Sequence, residues 1–198
     1  MWRERTKLVV KDEGLQKLEH SHVLVVGLGG VGAFVAEFLA RAGVGHLTIV
    51  DGDVVDITNK NRQLIALDST IGQPKAELVA QRLRDINPHI VLEVINDFLT
   101  PETAYDLVDS RFDYVADCID SITPKLNLLR ACHDNRVRVI SSMGAGGVLD
   151  PTKVKVADIS KTRDCPLARH IRKRLKKEKI NPKFKAVFSL ELPAKDMM

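Results

Sequence analysis

Residues 22–51 read HVLVVGLGGVGAFVAEFLARAGVGHLTIVD, and this stretch decides the fold. It opens on a Val-rich run, His22 to Val26, with the length of a strand buried on both faces. A glycine-rich turn follows, Gly27-Leu28-Gly29-Gly30-Val31-Gly32. Next comes an Ala-rich amphipathic segment, Ala33 to Ala42, with Gly43 as its stop. A second apolar run, His46 to Val50, ends on Asp51. The whole is one βαβ unit of about thirty residues, with a G-x-G-x-x-G turn and an acid after its second strand. Gly27 permits the tight turn, Gly29 lets backbone N–H groups approach a phosphate, and Gly32 lets the helix pack on the strand. The helix N-terminus adds partial positive charge, and Asp51 is placed to accept hydrogen bonds from ribose hydroxyls. Gly27, Gly29, Gly30, Gly32 and Asp51 are therefore candidate nucleotide-binding residues. The turn alone leaves NAD, FAD and ATP open.

Composition bounds the rest. The chain has 198 residues, 44% hydrophobic and 28% charged, as expected of a soluble globular protein. No apolar run reaches the ~18 residues of a membrane span, and no secretory signal opens the chain. Cys118, Cys132 and Cys165 form no C-x-x-C pair, so neither a disulfide framework nor a four-cysteine zinc site is indicated. A cytoplasmic protein with no membrane partner is the expectation. The net charge of +4 hides an asymmetry. From Lys161 to Lys185 there are eleven Lys or Arg against two acids, whereas residues 1–160 carry a net −4. The basic character lies in one segment and points to a polyanionic partner.

Along the chain, residues 1–21 read as a short helix ahead of the first strand, with Leu15 and Leu18 as its apolar contacts. After Asp51 a polar stretch holds Asn59, Asn61, Arg62 and Gln63, then Ile71-Gly72-Gln73-Pro74-Lys75. Pro74 suits the first residue of a helix that runs to about Ile86. Lys75 then sits in the first turn, against the helix dipole, where a nearby anion would explain it. Arg62 and Lys75 exceed what a diphosphate bridge needs, and that shifts the reading from NAD toward ATP. Further strands are expected at Ile90–Ile95, Phe112–Ala116 and Val137–Ser141, with helices at Pro101–Val108 and Pro124–His133. Asp120 falls beyond a strand end, on the ligand side of an open parallel sheet. It could hold Mg²⁺ against a triphosphate, or it or Ser121 could cap the next helix. An edge strand is expected at Lys153–Ile159, then a helix at Pro166–Lys179 with Leu167, Ile171 and Leu175 on one face. Arg169, Arg172, Lys173, Arg174, Lys176 and Lys177 surround that face; a solvated helix face is the usual explanation, but the lack of interspersed acids tips the reading to contact with nucleic acid or another polyanion.

Four elements, GLGGVG, D-G-D-x-V-x-x-x-N-x-x-R-Q, GQPK and DCIDS, occur in this order over nearly the whole chain. Together they resemble the ubiquitin-activating-enzyme-like (ThiF/MoeB/HesA) superfamily, whose members activate a carboxylate as an acyl-adenylate with MgATP in a homodimer. The resemblance implies that Asp51 and Asp53 serve the nucleotide, that Asn59, Arg62 and Lys75 contact its phosphates, and that Asp120 binds Mg²⁺. Arg5, in Arg-Glu-Arg-Thr, matches an arginine that reaches the partner subunit's ATP. Arg5, Arg62, Lys75 and Asp120 are the implied catalytic set. GAGGVLDPTKVKVADISKT, D-x-P-L-A-R with a basic helix, and VFSLELP are similar to the tRNA threonylcarbamoyladenosine dehydratase branch. That branch implies tRNA as partner to segment 161–185 and cyclisation through an acyl-adenylate, with a sulfur-relay protein as a further partner. The alternative is adenylation of the C-terminal glycine of a ubiquitin-like sulfur carrier. The two C-x-x-C zinc pairs of those relatives are missing, and Cys165 is expected to be structural.

The expected fold is α/β, a Rossmann-like, mostly parallel twisted sheet with helices on both faces and a basic helical appendage. Its parts are an N-terminal helix with Arg5 (1–21), a core (22–150), and an edge strand with the basic segment (151–198) in one ATP-binding domain. The family pattern continues past Glu191-Leu192-Pro193 with a strand and helix, so truncation at that end is expected.

Overall fold

The Val-rich run forms an interior strand of the sheet, paired on both edges and covered on both faces. In the computed structural model, which describes residues 2–180 and 183–192, it is β1 (His22–Val26). It pairs in parallel with β2 (His46–Val50) on one side and β4 (Tyr114–Asp117) on the other. Leu24 and Val26 point to one apolar cluster, Val23 and Val25 to the other. Burial on both faces is why the sequence there is continuous in apolar residues rather than alternating.

The remaining strands are β3 (Val91–Ile95), β5 (Val139–Ser142), β6 (Val154–Asp158) and β7 (Lys185–Ser189). The seven strands run β3-β2-β1-β4-β5-β7-β6, all parallel except the β6–β7 pair. One face is covered by α2 (Gly32–Ala42) and α3 (Lys75–Ile86). The other is covered by α4 (Pro101–Leu107), α5 (Ile122–Asp134) and α6 (Pro166–Lys177). The chain leaves β1 for β2 on one side and returns to β4 on the other. A crevice opens at such a switch point, beyond the strands' carboxyl ends.

Local chemistry sets the boundaries. α2 ends where Gly43 takes φ 100°, and Gly43 and Val44 N–H groups fold back on Ala40 and Leu39 carbonyls. α6 stops at Lys177 rather than Lys179, because Lys179 takes φ 60° and Ile180 N–H returns to the Leu175 carbonyl at 3.0 Å. Pro74 caps α3 in extended backbone (ψ 129°) instead of opening it. α1 (Glu4–His20) precedes the sheet and is interrupted at Lys11, where φ is 63°. Leu15 is buried and Leu18 packs on the core, as expected.

Two features depart from the sequence reading. The basic helix is docked rather than appended: Ala168, Ile171 and Leu175 are buried in the same cluster as Leu24 and Val115. Leu167 is only partly buried, packing at the edge of that cluster and lining the crevice. β7 was not foreseen. It slots between β5 and β6, and no local alternation marks it, because its pairing to β5 is long-range and parallel. Asn181, Pro182 and the proline of Glu191-Leu192-Pro193 lie outside the described residues. Among the described residues, no helix is long and apolar enough to cross a membrane.

Candidate functional site

The exits of β1, β2, β4 and β5 enclose a cavity of about 610 Å³ at the switch point. Its floor is the glycine turn. Gly27 adopts φ +85°, and a Cβ there would come within 3.0 Å of the Cys118 carbonyl oxygen. A Cβ on Gly32 would lie 1.7 Å from the Gly27 carbonyl oxygen, so that glycine is fixed by helix packing and does not line the cavity. Gly29 is different, since an added Cβ would meet Gln63 Nε2 at an ordinary 3.5 Å. The protein leaves space above Gly29 that its own packing does not require.

Asp51 closes the turn. Its Oδ2 accepts Leu28 N–H at 2.6 Å and its Oδ1 accepts Asp53 N–H at 2.8 Å. Burial pushes the Asp51 carboxyl above its usual range, against the pull of those two amides and Lys75. Each oxygen keeps acceptor capacity toward the cavity. Lys75, 5% exposed, donates from Nζ to Asp53 Oδ2 at 3.0 Å. The anion that accounts for a lysine in this first helical turn is, within the chain itself, Asp53.

Arg62 arrives from the connection after β2. A capping box shapes that connection: Asp56 accepts Thr58 N–H, and Asn59 Oδ1 accepts Asp56 N–H at 3.1 Å. The Arg62 and Gln63 amides then bond the Asn59 carbonyl. Asn59 is buried and stands outside the cavity, so its side chain holds the turn that presents Arg62. Arg62 is exposed, with Nη1 donating to Thr58 O at 3.1 Å and Asn61 Oδ1 at 2.8 Å. Gln63 lines the cavity at 9% exposure, and its Oε1 is buried without a protein partner. An acceptor held this way is costly unless a ligand or water completes it.

Opposite the glycine turn, Asp120 lines the cavity as an exposed carboxylate whose Oδ1 accepts Ser121 Oγ–H at 3.3 Å. Ser121 occupies the N-cap position of α5, yet no side-chain cap bond forms. The capping explanation for Asp120 thus loses its bond. Ser142, Met143, Gly144, Ala145, Gly146 and Leu167 form the far end of the cavity.

The cavity gathers Gly27, Gly29, Gly30, Asp51, Asp53, Arg62, Lys75 and Asp120. Gly32, Asn59 and Arg5 stand outside it. Arg5 is exposed near the start of α1, where the neighbouring Arg3 packs against Gly43 and pairs with Glu19, and it does not line the crevice. Cys118 is the only cysteine in the cavity lining, and burial pushes its thiol up to about 12, so no thiolate is available near neutral pH. Cys165 is buried at the start of α6, in keeping with a structural role.

Sequence reasoning missed a buried pair beneath this cavity. Lys125 and Asp117 are both fully buried, with Nζ 2.7 Å from Oδ2. The signal was there: Ile122, Lys125, Leu126 and Leu129 share one helical face, so the lysine stands in the apolar stripe of α5.

Comparison with known proteins adds the family context. The ThiF family profile matches residues 3–184. A tRNA threonylcarbamoyladenosine dehydratase of Bacillus subtilis is 47% identical over 189 residues, covering 96% of this chain and 74% of that protein. Its Escherichia coli counterpart is 42% identical over 180 residues, covering 89% and 67%. The crystal structure of the E. coli dehydratase in complex with ATP superposes with a TM-score of 0.93 at 39% identity, covering 97% of this chain and 82% of that one. A second crystal structure of it holds AMP. A molybdopterin-synthase adenylyltransferase of Haemophilus influenzae is 40% identical, over only 65% of this chain and 53% of its own length.

Proposed function

This chain belongs to the ThiF family, and from that premise we propose that it binds ATP and dehydrates threonylcarbamoyladenosine in tRNA to its cyclic form. One observation carries the reading. Arg62, Lys75 and Asp120, from three separate segments, converge with the glycine turn on one cavity. That set suits a triphosphate better than a dinucleotide.

In this reading the ATP phosphates lie over Gly29 and Gly30 at the start of α2, where backbone amides and the helix dipole favour an anion. The remaining lone pairs of Asp51 take the ribose hydroxyls. Lys75 exchanges part of its contact with Asp53 for a phosphate oxygen. The unpartnered Gln63 Oε1 is left to accept from a donor of the bound ligand or its water. Asp120 is the residue that would hold Mg²⁺. Among the described residues no cluster of three or more His, Cys, Asp or Glu gathers. A single carboxylate with nucleotide oxygens and waters is the donor set Mg²⁺ accepts. When bound, the ion would neutralise charge on the phosphates.

The threonine carboxylate of the modified nucleoside attacks the α-phosphorus, and pyrophosphate leaves. A carbamoyl heteroatom of the same modification then closes on the acyl carbon, loses its proton, and releases AMP. The second reactant is tethered, so no enzyme nucleophile is needed. The inert Cys118 thiol agrees with that. Arg62 and Lys75 stabilise charge on the transferring phosphoryl group.

A homodimer completes the site. Arg5 cannot serve its own chain's crevice, and a second copy would bring it to the partner's ATP. Phe34 and Phe38 on α2, with Ile57, Leu67 and Ile71 in the connection after β2, are exposed apolar side chains available for such a contact. The exposed basic face of α6 favours tRNA over a sulfur-carrier tail.

The test is incubation with MgATP and tRNA bearing the modification, followed by mass spectrometry of the nucleosides. Loss of one water with release of AMP is expected. Asp120→Ala should keep the fold and lower turnover on the order of a hundredfold. Near-full activity in a variant that only melts earlier would mean Asp120 serves α5 and not the reaction.

A further inference from the structure

We propose that Asp117 and Lys125 are positioning residues that lock the two loops facing the nucleotide into one register. The inference rests on the adenylating role of the cavity and adds to it a device beneath the reacting groups.

Both side chains are completely buried on the face of the sheet otherwise filled by Leu24, Val26, Val115, Leu126 and Leu128. All three Lys125 ammonium protons are used: Asp117 Oδ2 at 2.7 Å, Ser141 Oγ at 3.1 Å and Ser142 O at 2.9 Å. Asp117 Oδ2 also accepts Ser141 Oγ–H at 2.5 Å, and Asp117 Oδ1 accepts Ile119 N–H at 3.1 Å. Every donor and acceptor of the pair is satisfied.

Stability does not explain such a pair. A well-packed apolar pair of similar volume is often as stable as a buried ion pair, because two charges need not be desolvated. What an apolar pair cannot supply is direction. The bond to Ile119 N–H fixes the backbone one residue before Asp120. The bond to the Ser142 carbonyl fixes the exit of β5, where Ser142, Met143 and Gly144 line the cavity. The pair thereby ties the Asp120 loop to the loop at the far end of the cavity, through α5. None of its side-chain bonds reaches Gly29, Gly30, Arg62 or Lys75; the glycine turn is touched only at Gly27, against which the Cys118–Ile119 backbone packs.

That separation gives a distinct signature. Loosening the pair should displace Asp120 and the far loop while leaving the ATP contacts in place. Single replacements strand a buried charge and threaten the fold, so the informative variant is Asp117→Leu with Lys125→Met. It should fold, keep KM for ATP within about threefold, and lose about tenfold to a hundredfold in kcat. It should also need more Mg²⁺ for half-maximal activity. Amide hydrogen exchange at Met143 and Gly144 should quicken while that of α2 stays as in wild type.

Wild-type kcat and Mg²⁺ dependence in the double variant would overturn the proposal. So would kcat and ATP affinity falling together, or failure of the double variant to fold. If the wild-type protein itself shows no ATP-dependent dehydration, the functional reading fails, and exchange alone decides: faster exchange confined to the far loop upholds the lock, and unchanged exchange removes it.

Discussion

α2 and α6 hold matching stations on opposite faces of the sheet. Each starts at the rim of the crevice, α2 just after Val31 and α6 just before Leu167, both cavity-lining residues. Each buries a small stripe: Ala33, Ala36 and Ala40 in one, Ala168, Ile171 and Leu175 in the other. Their outer faces have nothing in common. α2 shows solvent the neighbouring, mutually tilted rings of Phe34 and Phe38, with centroids 6.3 Å apart. α6 shows Arg169, Lys173, Arg174, Lys176 and Lys177. The fold needs only the inner stripes, so the outer faces are free to serve the partners proposed above. An aromatic face fits a second protein surface, and a cationic face fits a polyanion.

The strongest way to break that contrast is to neutralise α6. Arg172 is a poor choice although the sequence groups it with the rest, because it is half-buried and donates to Thr162 Oγ1. Arg169, Lys173, Lys176 and Lys177 are all exposed, and none lines the cavity. Replacing these four by Gln should lower tRNA affinity at moderate salt on the order of a hundredfold and flatten its salt dependence by roughly 0.9 log units per lost contact. ATP affinity should change by less than about twofold, since the sites share no partner. Fluorescence anisotropy of labelled tRNA at several salt concentrations checks this, with ATP calorimetry beside it. A flat salt response in the wild type would remove RNA from the basic face and favour a sulfur-carrier partner.

On the other face, Phe34→Ser with Phe38→Ser should leave the monomer folded, because Phe38 is 63% exposed. Sedimentation should show the proposed homodimer dissociating. Dehydration should fall roughly tenfold to a hundredfold through loss of the partner's Arg5 at the phosphates. Arg5→Ala should reproduce the kinetic loss in a protein that still dimerises. A fully active wild-type monomer would sink both expectations.

The contrast also marks what could be read from sequence. The glycine turn, α2, Asp51 and the candidate cavity residues Arg62, Lys75 and Asp120 follow from local signals: a βαβ unit, a glycine conformation, a charge placed against a dipole. The far side of the sheet did not yield in the same way. β7 depends on a strand partner more than forty residues earlier, Ile140 opposite Lys185, and five residues carry no period that reveals it. Lys125 stands in the apolar stripe of α5, so the sequence marks it as buried, but its partners Asp117, Ser141 and Ser142 come together only in the fold. Asn59 has the composition of a phosphate ligand, yet its amide is turned to Asp56. Arg172 has the composition of a surface cation, yet it is held by Thr162. Asn59 is taken up by a local capping box, and Arg172 by a contact ten residues away that its helical pattern does not show.

The smallest effect concerns how the two helices are tethered. α2 is tied to α3 by Glu37, which bonds Arg82 Nε and accepts Arg41 Nε–H at 2.9 Å. α6 ends on Glu178, which accepts Arg130 Nε–H of α5 at 2.6 Å. The side chain of Glu37 is 10% exposed and that of Glu178 34%, so the Glu37 carboxylate is the less solvated of the two acids, although its partner Arg82 is 45% exposed against 27% for Arg130. Glu37→Gln should cost about 1–2 kcal/mol at neutral pH, and Glu178→Gln less than about 1 kcal/mol. The bond from Arg82, with that from Arg41, holds the Glu37 carboxyl below its ordinary 4.5 despite burial. A carboxyl depressed on folding stabilises the native state above its unfolded value and loses that contribution as pH falls through the folded one. The gap between wild type and Glu37→Gln in urea unfolding should therefore be constant above about pH 5 and close at lower pH. A gap that persists unchanged at pH 3 would mean Glu37 acts through packing, not charge. In that case the tether of α2 would be no more electrostatic than the alanine stripe beneath it.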